Sequence, residues 1–330
     1  KGVKAEEHKK AEDQRIQENL WEEHYRQPQP DISKTLQDDQ QAIQTNVKAA
    51  VASVNADIAS EEKKAELEKQ GFWQRPVMAS DQSAGKRYEE AAGSRWKLPT
   101  AIPAAARALR VKGPRERLTS HLLFSALDAS VAGELEEQFA RAGHLVSSNA
   151  RNHRMDPLVP LVIPEINRDH LEILDRQPYG DGGIVTNPNC STIVLALALA
   201  PLHRRFGVEA VIVTTFQATS GAGYPGVPSL DILGNVVPFV SGEEPKMESE
   251  TQKILGSLNG RGFEPATFAV SAQCHRVPVI DGHLEAVSLR LSGSPSRKQV
   301  AETLASFRPL AKLDLPSAPA EPTSTTPTWC

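Results

Sequence analysis

Residues 183–201 read GIVTNPNCSTIVLALALAP. A short β-branched run over 183–186 meets an Asn-Pro-Asn turn, and an apolar run over 193–200 follows, with Pro201 just after it. A strand, a tight polar turn and an apolar helix together make the unit from which parallel α/β sheets are assembled. The flanking sequence repeats the alternation. Upstream, strands are expected over 121–126, 144–147 and 158–163, with a helix over 129–142 closed by Gly143. Farther upstream, Val77-Met78-Ala79 reads as a short strand entering a Ser/Gly turn over 80–85. Downstream, 208–216 is a long β-branched strand, 217–228 a Gly/Pro-rich loop and 248–258 a helix. Strands are expected over 267–272, 276–280 and 284–291, with Asp281-Gly282 joining the last two as a hairpin. A helix over 295–307 would begin at Pro295 with Ser294 as its N-cap.

The chain has 330 residues, which at about 150 per domain suggests two domains. A formal net charge of −4 offers no basic excess for a nucleic-acid partner. No apolar run is long enough to cross a membrane, and the charged first residues are not a secretory signal. Three scattered cysteines, Cys190, Cys274 and Cys330, suit a reduced, cytoplasmic protein better than a disulfide framework. The start at Lys1 suggests a fragment or a processed chain. Charge is unevenly spread. Residues 1–76 hold 12 Lys/Arg and 15 Asp/Glu, against 25 and 26 in the other 254 residues. This first quarter, with Ile43, Val47, Val51 and Val54 on one narrow stripe, reads as a helical or disordered arm. From Leu315 onward Pro, Ser and Thr dominate, and a disordered tail is expected.

The chemistry concentrates at Cys190. A thiol opening a helix meets the positive end of the helix dipole and unpaired N–H groups, which favour the reactive thiolate. The same N–H groups suit an oxyanion once a carbonyl is attacked. The plainer alternative is a small buried hydrophobe. A thiol nucleophile needs a proton partner, and His275 and His283 are the candidates. Arg276 can grip a carboxylate bidentately. Arg154 and Lys246 are basic residues able to bind an anion together, and Glu243-Glu244 precedes Lys246 closely. No metal-ligand spacing occurs.

Asn187-Pro188-Asn189-Cys190-Ser191-Thr192 is one of several motifs in a fixed order. It is followed by Gln217-Ala218-Thr219-Ser220-Gly221-Ala222-Gly223-Tyr224-Pro225-Gly226, by Gly242-Glu243-Glu244 with Lys246, and by Arg276-Val277-Pro278-Val279 ending in Gly282-His283. Together with Ser83-Ala84-Gly85-Lys86, Phe124-Ser125-Ala126-Leu127 and Ser148-Asn149-Ala150, these resemble the aspartate-semialdehyde dehydrogenases of the archaeal and fungal branch over about residues 77–318. The resemblance implies NADPH-dependent conversion of L-aspartyl-4-phosphate to the semialdehyde and phosphate, a step toward lysine, threonine and methionine. Cys190 would form a thioester, His283 would be the acid/base and Gln217 would orient the acyl group. Arg276 would hold the substrate carboxylate and Glu243 the amino group. Arg154 and Lys246 would bind the phosphate, with Asn189 also in the substrate site. Ser80, Ser83, Ser125, Ala126, Ser220, Gly221 and Gly223 would lie along NADP. A homodimer or homotetramer is implied.

The expected organisation is an α/β chain in four parts. They are an arm (1–76), a truncated, incomplete Rossmann-like NADP domain (77–186), an α+β catalytic and dimerisation domain with a mixed sheet (187–314), and a tail (315–330). The family's opening GxTGxxG turn has no counterpart here, since residues 1–76 contain only Gly2 and Gly71. Weak NADP binding is therefore expected. Two other readings stand beside this one: a malonyl-CoA reductase of the same fold, and a non-catalytic interaction protein with the arm as its binding module.

Overall fold

The computed structural model describes residues 83–310 apart from positions 99, 117, 224 and 261. The expected arm, the strand at 77–79, Ser80, the tail and Cys330 lie outside the described residues. The architecture is the α/β arrangement expected, with one parallel and one mixed sheet.

Three parallel strands form the first sheet, β1 (Leu122–Ser125), β2 (Leu145–Ser148) and β3 (Gly183–Thr186), with β2 in the middle. Helix α1 (Ala129–Arg141) joins β1 to β2. Its N-cap is Asp128, whose carboxylate accepts the Ser130 N–H at 2.9 Å; hydrogen bonding to the Ser130 side chain, then to its backbone N–H, holds the Asp128 carboxyl below its usual range. Gly143 takes φ +90° just past its end, where a side chain would be strained. The strand expected over 158–163 is reduced to one parallel bridge between Leu161 and Thr186. Pro160 and Pro164 bracket the segment, and neither has an N–H to extend a ladder.

Helix α2 runs Cys190–Phe206 and passes through Pro201 instead of stopping before it. The proline ring is compatible with helical φ and costs one hydrogen bond. Pro201 and Leu202 are both buried, which offsets that cost. The helix ends at Gly207, φ +71°, whose N–H reaches the His203 carbonyl.

The second sheet is built from β4 (Val208–Gln217), β7 (Ala269–Arg276) and β8 (Leu284–Leu291), with β4 in the middle. β4 is parallel to β7 and antiparallel to β8. One face packs Val211, Val213, Ala272 and Cys274 against Leu195 and Leu199 of α2 and Met247 of α3 (Glu243–Ile254). At about 1.5–3 kcal/mol for each large side chain buried, this core fixes α2 and α3 against the sheet and so fixes the turn at Cys190. The other face leaves Ile212 and Leu284 exposed.

Three further expectations change. Helix α3 begins at Glu243, five residues before the expected start, and ends at Ile254. Residues expected to finish it form a hairpin of β5 (Ser257–Asn259) and β6 (Gly262–Glu264). The chain turns away at Gly256, where a Cβ would lie 2.2 Å from the Glu264 carbonyl oxygen. Residues 267–272 and 276–280 are not two strands, because β7 runs continuously through Arg276 and Pro278 prevents the ladder from extending beyond it. Asp281-Gly282 does turn the chain, with Gly282 at φ +85°, but β8 pairs with β4. The last helix, α4 (Arg297–Ala305), is capped by Ser296, not Ser294, through a capping box with Gln299.

Candidate active site

The crossing from β7 to β8 builds the site. Residues 277–280 pass beside the end of β4: Val277 N–H donates to Gln217 O at 3.0 Å, and Thr219 N–H to Val279 O at 2.8 Å. The Asp281-Gly282 turn then lands His283 over the backbone of Ala218. Ala218 N–H donates to His283 Nδ1 at 3.1 Å. That bond assigns the neutral ring's proton to Nε2, which lies 3.4 Å from Cys190 Sγ. Cys190 is exposed. Cys274 is buried against Met247, and burial pushes its thiol up to about 11, so it is no competing nucleophile at neutral pH. His275 faces the other side of the sheet, stacked on Phe216.

Asn189 sets the geometry of the thiol. Its Oδ1 accepts the N–H groups of Ser191 (3.0 Å) and Thr192 (3.4 Å), capping α2. Its Nδ2 donates to Glu243 Oε2 at 2.6 Å. Lys246 Nζ donates to the other Glu243 oxygen at 2.7 Å. Arg276 is buried, and its guanidinium donates to the Ala218 carbonyl at 2.7 Å. Among the described residues no carboxylate is ion-paired with it, so its charge is available to an anion beside Cys190 and His283. Gln217 is 1% exposed and donates to Thr215 Oγ1 at 3.3 Å. Gly221 closes over these groups. A Cβ there would fall 2.7 Å from the Arg276 guanidinium and 3.1 Å from the His283 ring.

Arg154 joins this group indirectly. It is paired with Glu250 Oε1 at 3.0 Å, and its second nitrogen donates to Asn149 O at 2.9 Å. The tips of the parallel strands meet the same place. Asn149 N–H donates to Ser125 O at 2.9 Å and Asn187 N–H to Ser148 O at 2.8 Å. Ser125 and Ser148 hydroxyls both donate to the buried Glu136 carboxylate. Ser220 and Gly223 sit in the loop that carries Gly221, and Ala126 follows β1. Ser83 is buried at the start of the described residues.

Sequence reasoning missed Glu250 and Glu136. Glu243, Lys246, Glu250 and Lys253 recur at i, i+3, i+7 and i+10, one polar stripe along α3. An expected helix start at 248 cuts that stripe in half and hides it.

Two family models match the chain. The semialdehyde dehydrogenase NAD binding domain matches residues 66–174 and the semialdehyde dehydrogenase dimerisation domain residues 199–328. The aspartate-semialdehyde dehydrogenase of Methanothermobacter thermautotrophicus is 48% identical over 252 residues, covering 74% of this chain and 72% of its own length. That of Cryptococcus neoformans is also 48% identical, over 74% of this chain and 71% of its own. The crystal structure of the Candida albicans enzyme with NADP superposes with a TM-score of 0.69 at 40% identity, covering 76% of this chain and 74% of that one.

Proposed function

This chain belongs to the aspartate-semialdehyde dehydrogenase family, and on that premise we propose how its residues divide the reaction. It is an oxidoreductase that interconverts L-aspartyl-4-phosphate and aspartate semialdehyde with NADP, a step of amino-acid biosynthesis. The observation that carries the assignment of roles is the 3.4 Å approach of Cys190 Sγ to His283 Nε2 beside the carboxylate-free Arg276.

Cys190, whose sulfur meets the α2 N-terminus and the His283 N–H, attacks the acyl carbon. The bond to the phosphate oxygen breaks and phosphate leaves. NADPH, when bound, would supply the hydride that reduces the acyl group, and the C–S bond to Cys190 then breaks to release the aldehyde. His283 carries its proton on the nitrogen facing the sulfur, so it is poised to protonate the oxygen that gains charge next to it. Arg276 grips the substrate α-carboxylate and Glu243 its ammonium. Gln217 orients the acyl group, and Lys246 and Arg154 attract the phosphate, with Asn189 anchoring the turn. Small-residue backbone at the C-terminal tips of a parallel sheet suits a dinucleotide. Here Ser125 at the end of β1 and Ala126 just after it, with Ser220, Gly221, Gly223 and Ser83, would hold it.

The apolar outer face of β4 and β8 supports a homodimer, the state the matched dimerisation domain favours. No described helix is long and apolar enough to cross a membrane. The few, scattered cysteines support a cytoplasmic location. The glutamate and arginine around Cys190 favour an amino-acid substrate over malonyl-CoA.

The test is NADP reduction with aspartate semialdehyde, with and without phosphate. A phosphate-dependent rate that Cys190→Ala abolishes is expected. A rate that survives Cys190→Ala, or no phosphate dependence, overturns the assignment.

A further inference from the structure

One carboxylate ties three elements to the nucleophile. Glu250 lies in α3 and is 2% exposed. Its Oε2 accepts the backbone N–H of Asn189, the residue before Cys190, at 2.7 Å. Its Oε1 pairs with Arg154 at 3.0 Å, and Arg154 in turn holds the Asn149 carbonyl at the tip of β2. Lys253, one turn farther along α3, donates to the carbonyls of Arg154, Asp156 and Val159 at 2.7–2.9 Å, so the loop carrying Arg154 is strapped to the same helix face.

A buried ion pair is a poor stability device. Desolvating the two charges costs several kcal/mol each, and well-packed apolar pairs often do better. What such a pair does supply is geometry, because each donor has one acceptor in one place. We propose that Glu250 is a positioning residue: it clamps the backbone that presents Cys190 to His283 and, through Arg154, locks that turn to the tip of β2. The proposal rests on the reading of Cys190 as the nucleophile and deepens it.

No conservative replacement is expected to work. Aspartate is one methylene short of spanning both donors. Glutamine can accept from Asn189 only by turning its NH2 toward the Arg154 guanidinium, donor against donor.

The test is a double-mutant cycle on the full chain, read as the rate of Cys190 alkylation by iodoacetamide, with the peptide carrying Cys190 quantified by mass spectrometry. In the parent chain, His283→Asn is expected to change that rate by about tenfold, because the ring touches the sulfur. In a Glu250→Gln background the same change is expected to have less than about a twofold effect, because the thiol no longer meets the ring. In turnover, Glu250→Gln and Glu250→Asp should both lower kcat by roughly 10- to 100-fold, the cost of misplacing a reacting group, while the KM for semialdehyde stays within about twofold because Arg276 is untouched. Should Glu250→Gln fail to fold, the pair Glu250→Leu with Arg154→Met removes both charges together and is expected to fold with the coupling lost. Undiminished coupling in either background overturns the proposal. Alkylation needs neither NADP nor substrate. A chain that reduces no NADP yet shows the coupled cycle would therefore overturn the proposed reaction and leave Glu250's role standing.

Discussion

At the scale of single residues, the site is defined by what each position excludes. Gly221 has no room for a Cβ, which would strike the Arg276 guanidinium and the His283 ring. Gly221→Ala should therefore lower kcat/KM by roughly 10- to 100-fold by displacing these two groups, with little change in melting temperature. Steady-state kinetics beside a thermal melt measure both, and wild-type kcat/KM would refute the reading. Glu285 makes a second residue-scale case. It lies opposite Thr215 on the packed face of the mixed sheet, one row below the Gln217 level, and its Oε1 is buried without a partner. Cys274 lies across Thr215 on β7, and Glu244 of α3 accepts the Cys274 N–H. Burial pushes the Glu285 carboxyl up to about 7. Its folded value exceeds the usual 4.5, so the folded state favours the protonated form. The cost of ionising it grows as pH rises from about 4.5 to about 7 and is complete above that. Glu285→Gln should leave stability unchanged near pH 4.5 and raise it at about pH 8. The expected gain is about 2 kcal/mol, discounted from the full shift because part of the side chain meets solvent. Urea unfolding at the two pH values gives the comparison, and an equal effect at both would refute it.

At the scale of elements, legibility followed from how local the determining forces are. The 183–201 strand–turn–helix was readable because β-branching, Asn-Pro-Asn and the apolar run all act within a few residues. Cys190 and His283 were readable for the same reason: one opens a helix and the other comes just after an Asp-Gly turn. The start of α3 was not. Gly242 caps it in a left-handed conformation without any side-chain bond, and Glu243 and Glu250 are buried only because Asn189 and Arg154 meet them. The hairpin expected between 276–280 and 284–291 failed because a turn sets the direction of the chain and leaves its pairing partner open. β4, distant in sequence, offered β8 a longer ladder. The Asn189 cap is an element-scale device. Asn189→Ala should cost about 1–2 kcal/mol of stability, since two N–H groups of α2 lose their acceptor and Glu243 loses a donor. Denaturant melts would register this as a lower midpoint with the slope preserved.

At the scale of the whole molecule, the open face of the mixed sheet carries the expectation of assembly. Ile212 (55% exposed) and Leu284 (65%) sit on the side of β4 and β8 away from α2 and α3. Ile212→Asp should shift the chain toward monomer, since a carboxylate on that face would be desolvated on association. Light scattering after size exclusion is the measurement, and an unchanged mass for the oligomer would place the interface elsewhere.

The α/β alternation and the motifs that tie the chain to its family could be read from the sequence alone, and so could the choice of Cys190 and His283 as candidates for a nucleophile and its proton partner. All of these are written in short segments whose chemistry is local. Only the tertiary structure decided that β4 stands between β7 and β8, that the crossing at 277–283 sets the imidazole over Ala218, and that Glu250 holds Asn189 and Arg154 at once. Those contacts join residues 58 to 96 positions apart. Their energies exist only once the core between α2, α3 and the mixed sheet has brought the segments together and excluded water.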